Sequence, residues 1–460
     1  IGNLKEYWES IESSTTTVGG AIWDWVDQAI YEPHEILAGN YEGRLRTGFD
    51  FPGPHQGNFC SNGIITAFRE ETPKLKQVKA VQAWIKFELM NVDAKKNEAT
   101  VNIKNTYDFI NTADHTLRYE IVKNGHIVAS GKQALPIIEV DGQAAVTLPL
   151  ENVNMAQSIK AGEEIMINLF VDQDKATRWS EPNHLVAQAQ FELNRRSPLA
   201  AIKVDKKAEK LVVEQTEKAL IVGNKSIDAV FCKETGKMVS LKFNGLEIIY
   251  GKEGFVYDNY RWIENDGRCK PENGLDSIGT CEIVPSKGGS VIVKTTRGGK
   301  LCSQVITYTF LPNGITDPDV TITPQAKDLR RAGLVASINP GLRNVNYYAY
   351  GPWENYNDRK ENCMVGRYQT TVDNMVVYYQ KPQTMGGREG LRELTLTNDK
   401  GRGICIETQG DVSFSALPYT DMKLSATKHM WELKKDAFIT LHLDAKYRGV
   451  GNASCGPDTM

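Results

Sequence analysis

Apolar positions recur at two spacings along this chain, and the spacing changes near residue 90. Leu4, Tyr7, Trp8 and Ile11 fall at i, i+3, i+4 and i+7, which predicts an amphipathic helix over residues 3–12. Gly19-Gly20 leads into Ala21-Ile22-Trp23-Asp24-Trp25, a short apolar run. Such a run predicts a strand over residues 19–25 buried on both faces, as in a parallel sheet. A Gly/Pro-rich loop then fills residues 28–63, and loops that long usually carry function. Thr72-Pro73 offers an N-cap and an N1 proline for a helix with Leu75, Val78, Val81 and Trp84 on one side. Helix, strand, loop, helix is a piece of an α/β barrel, too short to close one.

Beyond residue 90 the period is two. Val101 and Ile103 alternate, and Leu117–Lys123 and Ile127–Lys132 flank Asn124-Gly125, a two-residue hairpin signal. Ile165, Ile167, Leu169 and Val171 alternate again, so residues 87–196 predict a β-sandwich. The charged, proline-marked stretch that starts at Arg195-Arg196-Ser197-Pro198 predicts a linker, over 197–214. Residues 215–460 return to strands and turns. Thr235-Gly236, Asn244-Gly245, Val305–Leu311 before Pro312-Asn313-Gly314, and the alternation in Leu391–Leu396 predict one large all-β domain there.

Composition narrows the function classes. A length of 460 residues suggests about three domains. A net charge of −3 gives no reason to expect nucleic acid or an anionic membrane as partner. No apolar run approaches the roughly 20 residues of a membrane span, so a soluble protein is expected, cytoplasmic or periplasmic. Ile1 opens the chain without a signal-like segment or initiator Met, and the N-terminus reads as a cut. Eight scattered cysteines without Cys-x-x-Cys, and seven histidines without metal-ligand spacing, argue against a zinc site or a disulfide scaffold.

Two clusters carry candidate chemistry. Trp23, Asp24, Trp25 and Asp27 stand at the C-terminal end of the expected strand, where barrels keep their ligands. Gly57-Asn58-Phe59-Cys60-Ser61-Asn62-Gly63 follows the loop and could fold back beside it. An indole, carboxylates and amides together suit a sugar, with its C–H faces and many hydroxyls. A lone Trp is more often core, and it is the pair of clusters that shifts the weight to binding.

Gly19–Gln28 followed by Phe59-Cys60-Ser61-Asn62-Gly63 resembles the last barrel strand of the lac-type β-galactosidases of glycoside hydrolase family 2, and the resemblance continues nearly to Met460. It implies a mainly β chain: a TIM-barrel remnant (1–86), an immunoglobulin-like β-sandwich (87–196), and a large mutarotase-like β-sandwich (215–460). By resemblance, Trp23 is the aromatic wall of a galactose subsite. The Phe59 carbonyl and the Asn62 side-chain oxygen match ligands of a sodium ion (Na+) that contacts the sugar 6-hydroxyl. The family's completing carboxylate for that ion, and its Mg2+ site, would lie outside this chain. Asp24, Trp25, Asp27 and Asp50 are expected to buttress the site.

The family's nucleophile sits in a Glu-Tyr-x-His-x-Met-Gly-Asn-type motif, and its acid/base glutamate in an Asn-Glu pair further upstream. Neither is recognised here, and retention needs both carboxylates about 5–5.5 Å apart. The resemblance therefore implies no catalytic residue in this chain. It implies an inactive portion that needs a homo-oligomer partner or the missing N-terminal part of the same enzyme to act on a β-galactoside sugar. Trp179-Ser180-Glu181 with His184 matches a family signature, read as structural. Gly351-Pro352-Trp353-Glu354-Asn355-Tyr356-Asn357-Asp358-Arg359 matches Gly-Pro-x-Glu-Asn-Tyr-x-Asp-Arg, and Arg388, Arg392, Glu393 and Phe414–Tyr419 add to it. A paired network such as Glu354 with Arg359 is the expectation there. Two stretches depart from the pattern: Arg261-Trp262-Ile263-Glu264-Asn265-Asp266, and Gly449–Gly456, where Cys455 stands in place of a Trp that some members aim at the active site. Lactose preference therefore does not carry over. Two other readings remain open: a non-catalytic carbohydrate-binding or subunit-assembly β-sandwich module, and a family member acting on a glucuronide or mannoside.

Overall fold

The computed structural model describes residues 2–39, 44–205, 207–263, 275, 277–300, 302–325 and 329–451. The two expected N-terminal helices form, as Leu4–Glu12 and Pro73–Val81. Thr72 caps the second, its Oγ1 accepting from the Lys74 amide at 3.1 Å, with Pro73 at N1. Its inner face buries Pro73, Gln77, Val78 and Val81. Leu75 is half-buried and Trp84 exposed, stacked on Tyr107.

The strand expected over 19–25 does not form. Val26 makes one parallel bridge, to Ile65, and the run before it lies open, with Trp23 76% and Trp25 58% exposed. The reason is a missing neighbour. A strand buried on both faces needs partners on both edges and layers on both sides. Here, among the described residues, the backbone of residues 24–28 pairs with residues 60–65 alone. The stripe of the first helix is only partly covered: Leu4, Trp8 and Ile11 are half-buried and Tyr7 is exposed.

From Ile85 to Asn194 two antiparallel sheets face each other. One orders Ile85–Asp93, Glu98–Asn105 and Gln143–Pro149; the other orders His126–Ala134, His115–Lys123, Ile165–Gln173 and His184–Asn194. Alternate residues meet between them: Val101, Ile103, Leu117, Ile121, Leu148, Ile167 and Leu169 are closed to solvent. Asn124 and Gly125 turn the hairpin at φ 51° and 77°, the doubly left-handed turn that matches strand twist.

Val212–Gln215 already belongs to the C-terminal region, as edge strand of a five-stranded sheet. That sheet packs on a four-stranded one (Gly279–Val284 to Thr316–Pro324) through Leu220, Ala229, Phe231, Ile306 and Phe310. The largest sheet has seven strands. Its central pair, Arg388–Thr397 and Gly403–Leu417, lies over Leu342, Val372, Met375 and Leu424.

The two β regions are joined by a buried ion pair. Arg392 Nε and Nη2 reach Glu164 Oε1 and Oε2 at 2.9 and 3.1 Å, and the Tyr348 hydroxyl donates to the same carboxylate. Gln190 pairs with the Val365 backbone at 2.9 and 2.8 Å beside it. Removing one partner leaves the other charge buried and alone, which costs about 3–5 kcal/mol. Glu164→Gln is therefore expected to lower unfolding stability by about 3 kcal/mol, read as a fall in the urea midpoint. An unchanged midpoint would show that the seam carries no energy.

Candidate ligand-binding cleft

The cleft begins with a backbone pairing. Asp24 N–H donates to the Asn62 carbonyl (3.1 Å), Ile65 N–H to Trp25 (3.0 Å), Asp27 N–H to Ile65 (3.1 Å) and Gln28 N–H to Cys60 (2.7 Å). This brings Trp23, Phe59 and Asn62, separated by the long loop, to one cleft of about 460 Å³. Phe49 and Ser61 add to that wall, and Tyr379, Gln380 and Thr384 of the C-terminal β region form the facing one. Gly63 comes within 3 Å of Asp27 and Val26 backbone if given a Cβ, so only glycine allows the approach.

Asp27 is buried behind the pairing and accepts the Gly63 amide at 2.8 Å. Burial pushes its carboxyl above the usual aspartate range, opposed by Lys74 and the Gly63 amide. Lys74 donates to the Gly63 carbonyl and lies 5.7 Å from the Tyr379 ring centroid. Burial draws its ammonium below the usual lysine range, with Asp27 opposing. Asp24 accepts from Gln28, and the Trp25 side chain is exposed while its carbonyl accepts from the Ile64 and Ile65 amides.

Asn62 Nδ2 donates to the Phe59 carbonyl. Two neutral oxygen donors therefore stand side by side once the Asn62 amide turns over, an arrangement that fits a hard cation and supplies part of its shell.

The loop is held from outside. Asp50 caps Thr47 and meets His429 Nε2 at 2.7 Å. Gln380 Nε2 and Trp431 Nε1 both donate to the Leu45 carbonyl, at 3.1 and 3.3 Å, while the Arg46 guanidinium lies 5.1 Å from the Trp431 ring centroid. His429, Trp431 and Gln380 were not foreseen. No sequence signal marks them, because their contacts span more than 330 residues.

Glu354 and Arg359 pair as expected. Glu354 also accepts from the Tyr379 hydroxyl (2.6 Å) and the Gly386 amide (2.7 Å). Trp179 meets His184 edge-on at 5.5 Å, and His184 lies 3.2 Å from Lys79, in keeping with a structural reading. A second buried network was missed. Arg331 reaches Asp421 (2.7 Å), Asp444 (3.1 Å) and Asp258 (3.4 Å), beside His442. Burial pushes Asp444 up to about 7 and His442 down to about 3. Asp258, Asp421 and His442 are close enough to hold a metal, but the Arg331 guanidinium already takes that centre. Arg261 donates to the Arg448 and Gly449 carbonyls. Glu264, Asn265, Asp266 and Cys455 lie outside the described residues.

Comparison with known proteins gives three family matches in chain order. The profile described as "Glycosyl hydrolases family 2, TIM barrel domain" matches residues 1–87, "Beta-galactosidase, domain 4" matches 101–194, and "Beta galactosidase small chain" matches 223–460. A β-galactosidase of Priestia megaterium is 28% identical over 98% of this chain and 43% of its own length. One of Actinobacillus pleuropneumoniae is 26% identical over 99% of this chain and 44% of its own. The chain thus spans under half the length of these relatives. Among solved structures, a putative aldose 1-epimerase from Escherichia coli K12 covers 52% of this chain and 89% of its own at 9% identity, but a TM-score of 0.25 gives it no weight.

The Asp50–His429 contact is open to test. Burial raises the Asp50 carboxyl, but the Thr47 amide and His429 outweigh it and hold it below its ordinary 3.8. A depressed carboxylate stabilises above its unfolded pKa, and that stability is lost as pH falls through the folded pKa. In His429→Ala, the Asp50 resonance is expected to titrate at higher pH in carboxyl NMR, and amides of residues 44–50 to exchange faster. An unshifted titration would remove His429 as the loop's anchor.

Proposed function

This chain belongs to the β-galactosidases of glycoside hydrolase family 2, and from that premise we propose that it is the C-terminal portion of a retaining enzyme that hydrolyses terminal β-D-galactosides. The observation that carries the reading is the meeting of Trp23, Phe59 and Asn62 in one cleft. The Trp23 indole offers its face to the apolar side of a pyranose. The Phe59 carbonyl and Asn62 amide oxygen would hold a sodium ion, which supplies a positive charge for a sugar hydroxyl to bind. Asp27 fixes the Gly63 turn that sets Asn62, and the wall around Gln380 and Thr384 closes the cleft against water.

Retention takes a nucleophile and an acid/base carboxylate. We assign neither to this chain. They come with the barrel strands that precede it in the whole enzyme, or from a partner copy, and with them the Mg2+ site. The role of these residues is to bind and orient the galactosyl ring.

Titration of the chain with D-galactose tests this. Trp23→Ala is expected to weaken binding roughly tenfold. Asn62→Ala is expected to remove any gain in affinity on replacing choline chloride by sodium chloride. Galactose affinity indifferent to Trp23→Ala would end the assignment.

A further inference from the structure

A second cavity, of about 410 Å³, opens where residues 66–73 meet the large C-terminal sheet, and it shares no lining residue with the cleft. Its apolar wall is aromatic, built from Tyr347, Trp353, Tyr368 and Tyr378. Trp353 is 44% exposed, with the Lys76 ammonium 5.5 Å from its ring centroid.

Arg388 lines its polar side together with Glu354, Gln369 and Asn374, and is only 5% exposed. Its Nε donates to the Tyr347 hydroxyl (3.2 Å) and its Nη1 to the Gly386 and Gly387 carbonyls (3.3 and 3.0 Å). Among the described residues, Nη2 has no hydrogen bond and the guanidinium no carboxylate partner. Arg331, Arg359 and Arg392, equally buried, each hold a carboxylate. A buried cation with only neutral partners is left with unspent donor capacity, and an acceptor oxygen in the cavity would use it.

The lining also says what kind of molecule fits. Flat rings suit a ligand with an apolar C–H face, and Arg388 suits one with oxygen acceptors. Glu70, at the rim, can accept from hydroxyls. An alkyl chain would leave Arg388 unsatisfied, and a polyphosphate would meet the Glu70 and Glu71 carboxylates. A pyranose meets all three demands.

We propose that this cavity is a second saccharide-binding site, separate from the cleft, in which a pyranose packs on Trp353 and Tyr368 and accepts from Arg388 Nη2. The assignment does not depend on the cleft reading. The test uses the full chain carrying Trp23→Ala, titrated with lactose and separately with D-glucuronate by ligand-observed NMR. At least one sugar is expected to bind, and adding Trp353→Ala is expected to weaken it roughly tenfold. Lactose binding identifies a neutral sugar and glucuronate binding an acidic one, and either supports the site. Binding of neither sugar, or binding untouched by Trp353→Ala, overturns it. Trp353 is partly exposed, so its removal decides the matter even where Arg388→Gln fails to fold. Equal galactose affinity in the wild type and in Trp23→Ala would sink the cleft reading alone.

Discussion

The Glu354 carboxylate is closed to water, and its position depends on three donors: the Arg359 guanidinium, the Tyr379 hydroxyl and the Gly386 amide. A charge so buried persists only if its partners are fixed, and losing one costs about 3–5 kcal/mol. That constraint reaches both walls of the cleft. Tyr379 and Arg359 line one of them directly. Lys74, from the N-terminal helix, lies against the Tyr379 ring and donates to the Gly63 carbonyl, at the turn that sets Asn62. The cleft is thus shaped by a buried ion pair on the large sheet, and the N-terminal residues that carry Trp23 are fitted to it.

The same β region also fastens the N-terminal helix and loop. The helix Pro73–Val81 is fastened through Gln77, whose side chain exchanges hydrogen bonds with Glu361. The loop is fastened through Leu45 and Asp50 to Gln380, Trp431 and His429. Each of these contacts comes from the C-terminal β region. The region therefore builds half of the cleft as well as its own core.

Elements set by local pattern were legible in the sequence. The helix at Leu4–Glu12, the capped helix after Thr72 and the Asn124-Gly125 hairpin follow from spacing and turn chemistry alone. The segment 19–25 was misread for a physical reason. Its apolar run records burial that the described chain does not supply, so the residues form no strand and stay exposed around Trp23 and Trp25. Trp23, Phe59 and Asn62 could be read as a site because two local clusters carry them. His429 and the Arg331 network could not. Their partners, Asp50 for one and Asp258, Asp421 and Asp444 for another, are brought close only by the finished fold.

The central claim is that this chain binds and orients a galactosyl ring while the reacting carboxylates come from elsewhere. The most direct test is hydrolysis of a chromogenic β-galactoside by the purified chain, its intact mass confirmed, with galactose binding measured on the same sample. The account expects binding without turnover. Turnover by the chain alone would contradict it, because a nucleophile and an acid would then have to lie among carboxylates such as Glu354, Asp421 or Asp444 that hold the buried arginines.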